Sequence, residues 1–356
     1  MKTLKIGKRV IGDNHPIYFV ADIGANHDGD LGRAKELIHL CAESGAEAVK
    51  FQNFKAHKIV SKEGFVHMKD QVSHQAKWKK SVFEVYKNAS INEKWTRILK
   101  ETSDKAGVEY FTSPYDFDSV DLVDPFVKMY KIGSGDITWL EIIKYIAKKG
   151  KPVFIATGAS TLDDVKRAMK ELKKYSSKIV LFQCNTNYTA SLENFKYSNL
   201  NVLTEYRRLY PNVILGLSDH TPGHATVLGA VTLGARVIEK HFTDDNGREG
   251  PDHKFAMTPK TWKEMVERTR ELEYALGDGI KRIEKNEKKT AIIQRRGLRA
   301  TQDLPKGTIL RKDYLEALRP IPPSGVEPYK IDKLLKKKLI KSLKKGDHIT
   351  WKHITF

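Results

Sequence analysis

The sequence predicts a (β/α)8 barrel over about residues 1–280 of a 356-residue chain. Short apolar runs and amphipathic stretches alternate eight times in this region, which is the rhythm of parallel strands joined by helices. The apolar runs end in polar loops, as expected where strand ends form a functional rim. An open doubly wound sheet is the alternative, but no G-x-G-x-x-G segment follows the first apolar run, so that fold would lack its usual phosphate-binding turn.

Eight apolar runs are expected to form the barrel strands. The first, Ile17–Gly24 (IYFVADIG), stays apolar until Asp22 and is followed by a polar loop. Runs of this length, bounded by turn residues, are typical of buried strands. The other predicted strands are Ala46–Gln52, Val108–Ser113, Phe126–Ser134, Pro152–Thr157, Lys178–Asn185 and the two runs that end in GLSDHT (Gly216–Thr221) and IEKHFT (Ile238–Thr243).

Helices are expected between these strands. Asn92 is a candidate N-cap, and Gly277 follows the last helix, where glycine commonly ends one. The segment Asn53–Ser90 is long, irregular and rich in His, Lys and Ser, which favours a functional loop. The predicted helices are Leu31–Ser44, Asn92–Ala106, Trp139–Lys149, one capped by Ser160 or Thr161, Leu200–Leu209, Pro222–Leu233 and Thr258–Leu276.

Composition and termini indicate a cytoplasmic protein. The hydrophobic content of 40% is enough for a large core, which argues against global disorder. The N-terminal stretch MKTLKIGKRVIGD lacks the continuous apolar segment of a signal peptide, and no apolar run reaches the length of a membrane span. Two cysteines, Cys41 and Cys184, cannot make a disulfide framework and fit a reducing compartment. We expect both to be buried structural thiols.

The net charge of +19 is unevenly distributed along the chain. From Lys281 to the end there are 21 Lys and Arg residues against 8 Asp and Glu residues. Nucleic acid is one explanation, but zinc-finger, helix-turn-helix and RNA-recognition signatures are absent and aromatic residues are not interleaved with the basic runs. We therefore expect a solvated lysine-rich surface that favours anionic substrates, and no nucleic-acid partner.

Two histidines occupy equivalent positions at the ends of the last two predicted strands. His220 lies in GLSDHT and His241 in IEKHFT, twenty-one residues later. The intervening residues make one helix, so both imidazoles are expected on the same rim. A single histidine at a strand end is usually a hydrogen-bonded structural residue. Two at matching positions of neighbouring units instead predict a divalent metal site.

Two lysines stand near the ends of apolar strands, where an uncompensated cation is costly. Lys50 ends the second strand and Lys131 lies in the fourth. Hydroxyl groups close to both suggest a ligand that bears phosphate or carboxylate. A structural ion pair with a strand-end carboxylate is the alternative for either lysine. Further polar residues at strand ends are Asn26–His27, Gln52, Thr112–Ser113, Ser134, Asp136, Thr157, Asn185–Tyr188, Ser218 and Glu239.

Several segments, in order along nearly the whole chain, resemble the sialic acid synthase family. They are ADIGANHDGD, AEAVKFQ, YKIGSGD, ATG, GLSDHT, IEKHFT and GPDHK. Members of this family condense phosphoenolpyruvate with an N-acetylated hexose to make a nine-carbon α-keto acid. The resemblance also implies three regions: a catalytic TIM barrel over residues 1–280, a charged linker at 281–294 and a small antifreeze-protein-like (SAF) domain at 295–356. RRGLRATQDLPKGTILRKDYLEALRP carries the pattern of that small domain, and SLKKGDHITWKHI repeats it.

The resemblance implies a role for each of these residues. His220 and His241 would hold Mn2+ or Mg2+, which would polarise the sugar aldehyde, activate a water, or both. Tyr188 would help to place the sugar. Arg319 would reach the active site of the partner in a domain-swapped homodimer and contact the acyl group of the sugar, with a surface ion pair as the alternative. The residues that would bind phosphoenolpyruvate are Lys50, Lys131, Ser134 and Ser218, with Ser113 close by.

The chain departs from the family pattern at two carboxylates. Asp22 and Asp136 stand where the family usually has glutamate, so each carboxylate retreats by roughly 1.5 Å, and misplacement by about 1 Å can lower a rate greatly. Asp22 is our first choice for proton transfer and Asp136 the second, with a contact to a neighbouring lysine as the alternative for Asp22. The other departures are Ala156, the order CNTNY at Cys184–Tyr188, and RPIPPSG after Leu318.

The resemblance and these residues together predict an enzyme that forms a carbon–carbon bond between phosphoenolpyruvate and N-acetylmannosamine or a related sugar, with diacylated and phosphorylated sugars among the candidates. A synthase of the legionaminic or pseudaminic type is one alternative. A divergent barrel that binds a sugar acid without turnover is another, and would explain the shortened carboxylates. A polyanion-binding protein would explain the basic C-terminal part, and steeply salt-dependent DNA or RNA binding would identify it.

Overall fold

A closed barrel of eight parallel strands forms the first of two units, Met1–Gly277. This computed structural model describes residues 3–67 and 80–355. The strands of the first unit are β1 (Thr3–Ile6), β2 (Arg9–Gly12), β3 (Tyr18–Asp22), β4 (Ala48–Asn53), β5 (Glu109–Pro114), β6 (Tyr130–Ile132), β7 (Val153–Ala156), β8 (Ile179–Cys184), β9 (Ile214–Asp219) and β10 (Ala235–His241). From β3 to β10 each strand pairs with the next, and β10 pairs with β3, which confirms the predicted (β/α)8 barrel.

Several helices of this unit begin where a polar side chain caps them. Thr161 accepts from the backbone N–H of Asp164, whose carboxylate accepts from the Thr161 N–H in return, a reciprocal cap. Thr258 and Thr261 form the same arrangement before the last helix. The helices are α1 (Leu31–Glu43), α2 (Ala56–Ile59), α3 (Lys62–His67), α4 (Val82–Ala89), α5 (Trp95–Ala106), α6 (Phe117–Val123), α7 (Leu140–Lys148), α8 (Leu162–Leu172), α9 (Val202–Leu209), α10 (Ala225–Thr232) and α11 (Pro259–Leu276).

Burial on both faces explains why the barrel strands are continuous apolar runs. Every residue of β3, β8 and β9 is buried, because side chains face either the barrel interior or the surrounding helices. The pairing register sets polar residues side by side at the rim: Asp22 is level with Lys50 on one side and with His241 on the other. The same register puts Ser218 level with Glu239.

The structure differs from the sequence-based expectation in several local elements. The expected loop Asn53–Ser90 contains the helices α2, α3 and α4, and its residues 68–79 lie outside the described part. The N-cap assignment of Asn92 is wrong, because α5 begins at Trp95 and the Asn92 carboxamide instead accepts from the Lys94 N–H at 3.0 Å. The helix α6 and the antiparallel hairpin of β1 and β2 were not expected.

The second unit, Asp278–Phe356, has its own small core. Strands β11 (Gly297–Ala300) and β12 (Leu315–Leu318) pair in antiparallel fashion. The two similar sequence patterns meet where Leu304 and Leu343 exchange backbone hydrogen bonds of 2.8 Å in each direction. A short helix, α12 (Lys288–Gln294), lies in the segment expected to be a linker.

Two further expectations concern the cysteines and the membrane. Cys41 and Cys184 are free thiols and both are buried. Among the helices of the described residues, none has the length and apolar character that crossing a membrane requires.

Candidate active site

A cavity of about 370 Å3 lies at the carboxyl ends of the barrel strands, where barrel enzymes place their chemistry. Nine of the residues that were given a role from the sequence line it: Asp22, Lys50, Lys131, Ser134, Asp136, Tyr188, Ser218, His220 and His241. Polar residues from six different strand ends therefore meet around one space.

The floor of the cavity is a buried group of four charges. Lys50 Nζ lies 2.6 Å from Asp22 Oδ2 and 3.5 Å from Glu239 Oε1. Lys131 Nζ lies 2.8 Å from the same Glu239 oxygen, to which the Ser218 hydroxyl also donates at 3.3 Å. All four charged side chains are at most 4% exposed. Two cations and two anions therefore compensate one another in the interior. For each lysine this is the ion pair with a strand-end carboxylate that the sequence analysis gave as the alternative.

The ion pairs favour the charged forms of Asp22, Glu239 and Lys50. Burial alone would raise the pKa of Asp22, but Lys50 beside it and the nearby His241 outweigh that effect and hold the pKa below its ordinary value. Burial would likewise raise the pKa of Glu239, but Lys131 and Lys50 lower it. Burial disfavours the Lys50 ammonium, yet Asp22 and Glu239 raise its pKa above the ordinary range. These three groups are therefore ionised at neutral pH.

Asp22 is held by contacts on both carboxylate oxygens. The Gly24 N–H donates to Oδ1 at 3.0 Å, and the Gln52 amide donates to Oδ2 at 3.2 Å. Lys50 pairs with Oδ2, and His241 Nε2 lies 3.3 Å from that oxygen. A carboxylate with this many donors is stabilised in its ionised form and in one orientation.

Asp136 has a contrasting environment. It belongs to the short 3-10 turn Ser134–Asp136 after β6 and lines the cavity. Burial raises its pKa to about 6. A carboxyl group with such a pKa exchanges its proton close to neutral pH, as general acids and bases require.

The two histidines face each other, and their ring centroids are 5.4 Å apart. His220 Nδ1 lies 2.7 Å from the Asn185 carbonyl oxygen, so its N–H donates there and Nε2 carries the lone pair. Burial, with a smaller effect from His241, lowers the pKa of His220 to about 3, so the ring is neutral. His241 Nδ1 is buried, has no hydrogen-bond partner within the described residues and lies 3.5 Å from Asp252 Oδ2. Tyr188 packs on His220 with centroids 4.5 Å apart.

This pair suits a divalent cation as part of a donor set. A neutral imidazole whose second nitrogen donates to a carbonyl is the common form of a metal-ligating histidine, and the buried Nδ1 of His241 lacks any other hydrogen-bond partner in the part of the chain that is described. No group of three or more His, Cys, Asp or Glu residues placed for metal binding occurs among the described residues. Within the described residues, the two histidines therefore supply only part of the coordination that a divalent ion requires.

Small polar groups lie at the end of the cavity near Lys131. The Ser134 hydroxyl accepts from the Gly158 N–H at 2.9 Å, and Ser218 and Cys184 also line this end. Burial raises the pKa of the Cys184 thiol, which stays protonated. Ser113 is buried, and its hydroxyl has no hydrogen-bond partner within residues 3–67 and 80–355.

Sequence reasoning assigned no role to three side chains of the site. Glu239 was noted only as a polar strand-end residue, although it stands two positions before His241 and so faces the same side of β10. Asp252 lies in the quoted GPDHK segment, lines the cavity and accepts from the Ala25 N–H at 3.1 Å. Gln52 orients Asp22. Arg319 belongs to the second unit, where it follows β12 and is exposed.

Comparisons with known proteins agree with one another. A model described as the NeuB family matches residues 37–281, and a SAF domain model matches residues 295–355. The N,N'-diacetyllegionaminic acid synthase of Legionella pneumophila is 35% identical over 96% of this chain and 96% of its own. The human N-acetylneuraminate-9-phosphate synthase is 30% identical over 96% of this chain and 93% of its own. A crystal structure of the N-acetylneuraminic acid synthetase from Leptospira borgpetersenii, in complex with citrate, has a TM-score of 0.71 at 28% identity and covers 81% of this chain and 95% of that one.

Replacing Lys131 by Met tests the buried charge group. Lys131→Met removes the ammonium 2.8 Å from Glu239 and should lower the free energy of unfolding by about 3 kcal/mol, because a buried carboxylate loses the nearer of its two cations. Denaturant unfolding measures the change. The matched double variant Lys131→Met/Glu239→Gln removes both charges and should recover at least half of the loss. Equal stability of Lys131→Met and the wild type would contradict the proposed interaction.

Proposed function

The chain belongs to the NeuB family, and on that premise we propose that it joins phosphoenolpyruvate to an N-acetylated hexose. C3 of phosphoenolpyruvate attacks the aldehyde carbon of the open-chain sugar, whose oxygen takes a proton. Water adds at C2, and the bond between C2 and the phosphate oxygen breaks. The products are a nine-carbon α-keto acid and inorganic phosphate. The sugar is N-acetylmannosamine or a related acylated hexose, and a product of the legionaminic or pseudaminic type is the alternative.

One observation carries this proposal: two buried lysines and two histidines face the same cavity. Lys50 and Lys131 supply the positive charge that the phosphate and carboxylate of phosphoenolpyruvate require. The hydroxyls of Ser134 and Ser218 lie at the same end, and Ser113 is buried on β5 and does not line the cavity. Phosphoenolpyruvate therefore has a site at the floor, which leaves the rest of the cavity for the sugar.

We assign the histidine pair to Mn2+ or Mg2+. When bound by His220 and His241, the ion would supply Lewis-acid polarisation of the sugar aldehyde. The protein holds both rings ready for this, because Asn185 fixes the tautomer of His220 and Asp22 lies beside His241. Tyr188 packs against His220 and is placed to contact the sugar next to that pair.

The contacts support Asp136 as the group that moves the proton, which reverses the order chosen from sequence. Asp22 is committed to Lys50, Gln52 and a backbone N–H, so its proton affinity is low. Asp136 has the raised pKa, about 6. We assign Asp136 as the base that accepts the proton of the water added at C2, and Asp22 as a residue that positions Lys50.

A phosphate-release assay tests the function together with the metal assignment. Protein supplied with phosphoenolpyruvate, Mn2+ and a panel of acylated hexosamines should release phosphate with at least one sugar. Removal of the metal by chelation should abolish release. His220→Ala should do the same while keeping the fold and losing bound Mn2+ in a direct metal-content measurement.

Three results would oppose these assignments. Ligand-dependent stabilisation without phosphate release from any sugar would favour the non-catalytic binding barrel. Full activity of His220→Ala in metal-depleted buffer would contradict the metal assignment but not the proposed reaction. Tight binding to DNA or RNA that weakens steeply with salt would favour a polyanion-binding protein.

The pH dependence of kcat/KM tests the role of Asp136. A base must be ionised to act, so kcat/KM should rise through about pH 6, the pKa of Asp136, and level off above it. Asp136→Asn should lower the rate by roughly 100-fold or more and remove the acidic limb of the profile. Asp22→Asn serves as the control, because it should slow the reaction yet retain that limb. An unchanged limb in Asp136→Asn would exclude this role.

Arg319 is proposed to complete the active site of the partner in a domain-swapped homodimer. Its permanently charged, planar guanidinium suits a hydrogen bond to an acyl carbonyl. Arg319→Ala and His241→Ala should each be inactive as homodimers. A verified mixed dimer of the two contains one intact composite site and should regain about half of the activity. A monomer in sedimentation at assay concentration, or mixed dimers without activity, would oppose the swapped arrangement.

A further inference from the structure

Tyr115 lines the active-site cavity at a point between the two buried lysines. It directly follows β5, which pairs with β4 on one side and with β6 on the other. Lys50 belongs to β4 and Lys131 to β6. The tyrosine therefore enters the cavity between the two strands that carry the cations.

The ring of Tyr115 lies against the start of the turn that follows β6. A methyl group at Gly133 would be 3.1 Å from the Tyr115 hydroxyl oxygen and 3.3 Å from the ring carbon Cε1, which is closer than ordinary van der Waals contact. Glycine at this position leaves the space that the phenol occupies. Gly133 directly precedes Ser134, and both line the cavity. The hydroxyl of Tyr115 is therefore placed beside the Ser134 end of the cavity.

Two contacts hold Tyr115 in this position. Its backbone N–H donates to the Asn53 carbonyl oxygen at 3.0 Å, which ties the residue to the end of β4. The ring of Phe54 meets the tyrosine ring edge to face, with centroids 5.9 Å apart, and this is a favoured arrangement of two aromatic rings. The phenol is therefore oriented by the folded chain before any ligand binds.

The hydroxyl of Tyr115 is a neutral hydrogen-bond donor. Burial raises the pKa of the phenol, so the group keeps its proton at neutral pH. Lys50 lowers this pKa and Asp136 raises it, both by smaller effects than burial, as expected for a hydroxyl that lies near both charges. A protonated phenol can donate one hydrogen bond to an anion without carrying a charge itself.

A neutral donor suits the charge balance at the floor of the cavity. Lys50 already pairs with Asp22, and Lys131 with Glu239, so the formal charges of these four groups sum to zero. Phosphoenolpyruvate adds a phosphate and a carboxylate to them. Oxygens of a buried anion need hydrogen-bond donors, and a phenol supplies one without a charge that would require a further buried counter-ion.

From this placement we infer that Tyr115 binds phosphoenolpyruvate and donates its phenolic hydrogen to an anionic oxygen of that substrate. The inference rests on the proposed function, which puts phosphoenolpyruvate at Lys50 and Ser134. An anion that contacts both of these side chains passes the Tyr115 hydroxyl, because β5 lies between their strands. Tyr115 is a binding residue in this assignment, and its hydroxyl transfers no proton in the reaction.

Calorimetric titration of phosphoenolpyruvate into Tyr115→Phe, with Mn2+ present, tests this contact. The variant removes one oxygen and keeps the ring against Phe54, so the fold should be retained. A hydrogen bond to a charged group changes affinity by roughly tenfold to hundredfold, and the Kd for phosphoenolpyruvate should therefore rise by at least about tenfold. In the phosphate-release assay the KM for phosphoenolpyruvate should rise by a similar factor, while kcat changes by less than about threefold.

Tyr110→Phe is the matched control. It removes the same oxygen from the same strand, but Tyr110 is fully buried and does not line the cavity. The Kd for phosphoenolpyruvate should stay at the wild-type value in this variant. An equal rise in both variants would show a general effect of losing a phenol from β5 and would overturn the inference.

Binding and turnover distinguish this inference from the proposed function. If the wild-type protein binds phosphoenolpyruvate but releases no phosphate with any sugar, the proposed reaction fails, and the Kd of Tyr115→Phe alone decides the contact. A wild-type Kd in Tyr115→Phe overturns the inference and leaves the reaction intact. A rise in the KM for the sugar alone assigns the hydroxyl to the sugar and overturns it as well. Wild-type protein that binds no phosphoenolpyruvate overturns both.

Discussion

The buried group of Lys50, Asp22, Lys131 and Glu239 is the constraint on which the rest of the site depends. Four ionised side chains at most 4% exposed would be prohibitively costly singly. They are tolerable here because closure of the barrel brings the ends of β3, β4, β6 and β10 within ion-pair distance. The fold thus creates the charged floor, and the floor in turn requires the register that sets Asp22 level with Lys50.

That floor also separates the chemical roles of the two carboxylates. Asp22 is surrounded by donors, which lower its pKa, whereas burial raises the pKa of Asp136 to about 6. Two carboxyl groups of the same residue type therefore have different proton affinities within one cavity, which is how a single site can combine an electrostatic anchor with a proton-transfer group. His220 adds a third environment, in which burial lowers the pKa of the imidazole and keeps it neutral.

The sequence was sufficient to predict the barrel, but it did not predict which charged side chains pair with one another inside it. Apolar runs with polar ends predicted all eight strands and the rim, because strands buried on both faces must be apolar. The cap at Thr161 was predicted with Ser160 as the alternative, while the cap at Asn92 was wrong because α5 begins three residues later. The partnership of Lys131 with Glu239 joins residues 108 positions apart, and no local pattern specifies which strand ends face each other.

The shortened carboxylate at Asp22 makes sense in this setting. The related family usually has a glutamate there, and the loss of one methylene at first suggested a weakened catalytic group. In the structure the shorter side chain reaches Lys50 at 2.6 Å while accepting from the backbone N–H two residues ahead at 3.0 Å. Aspartate at this position therefore holds the Lys50 ammonium close, and its pKa is lower than that of Asp136.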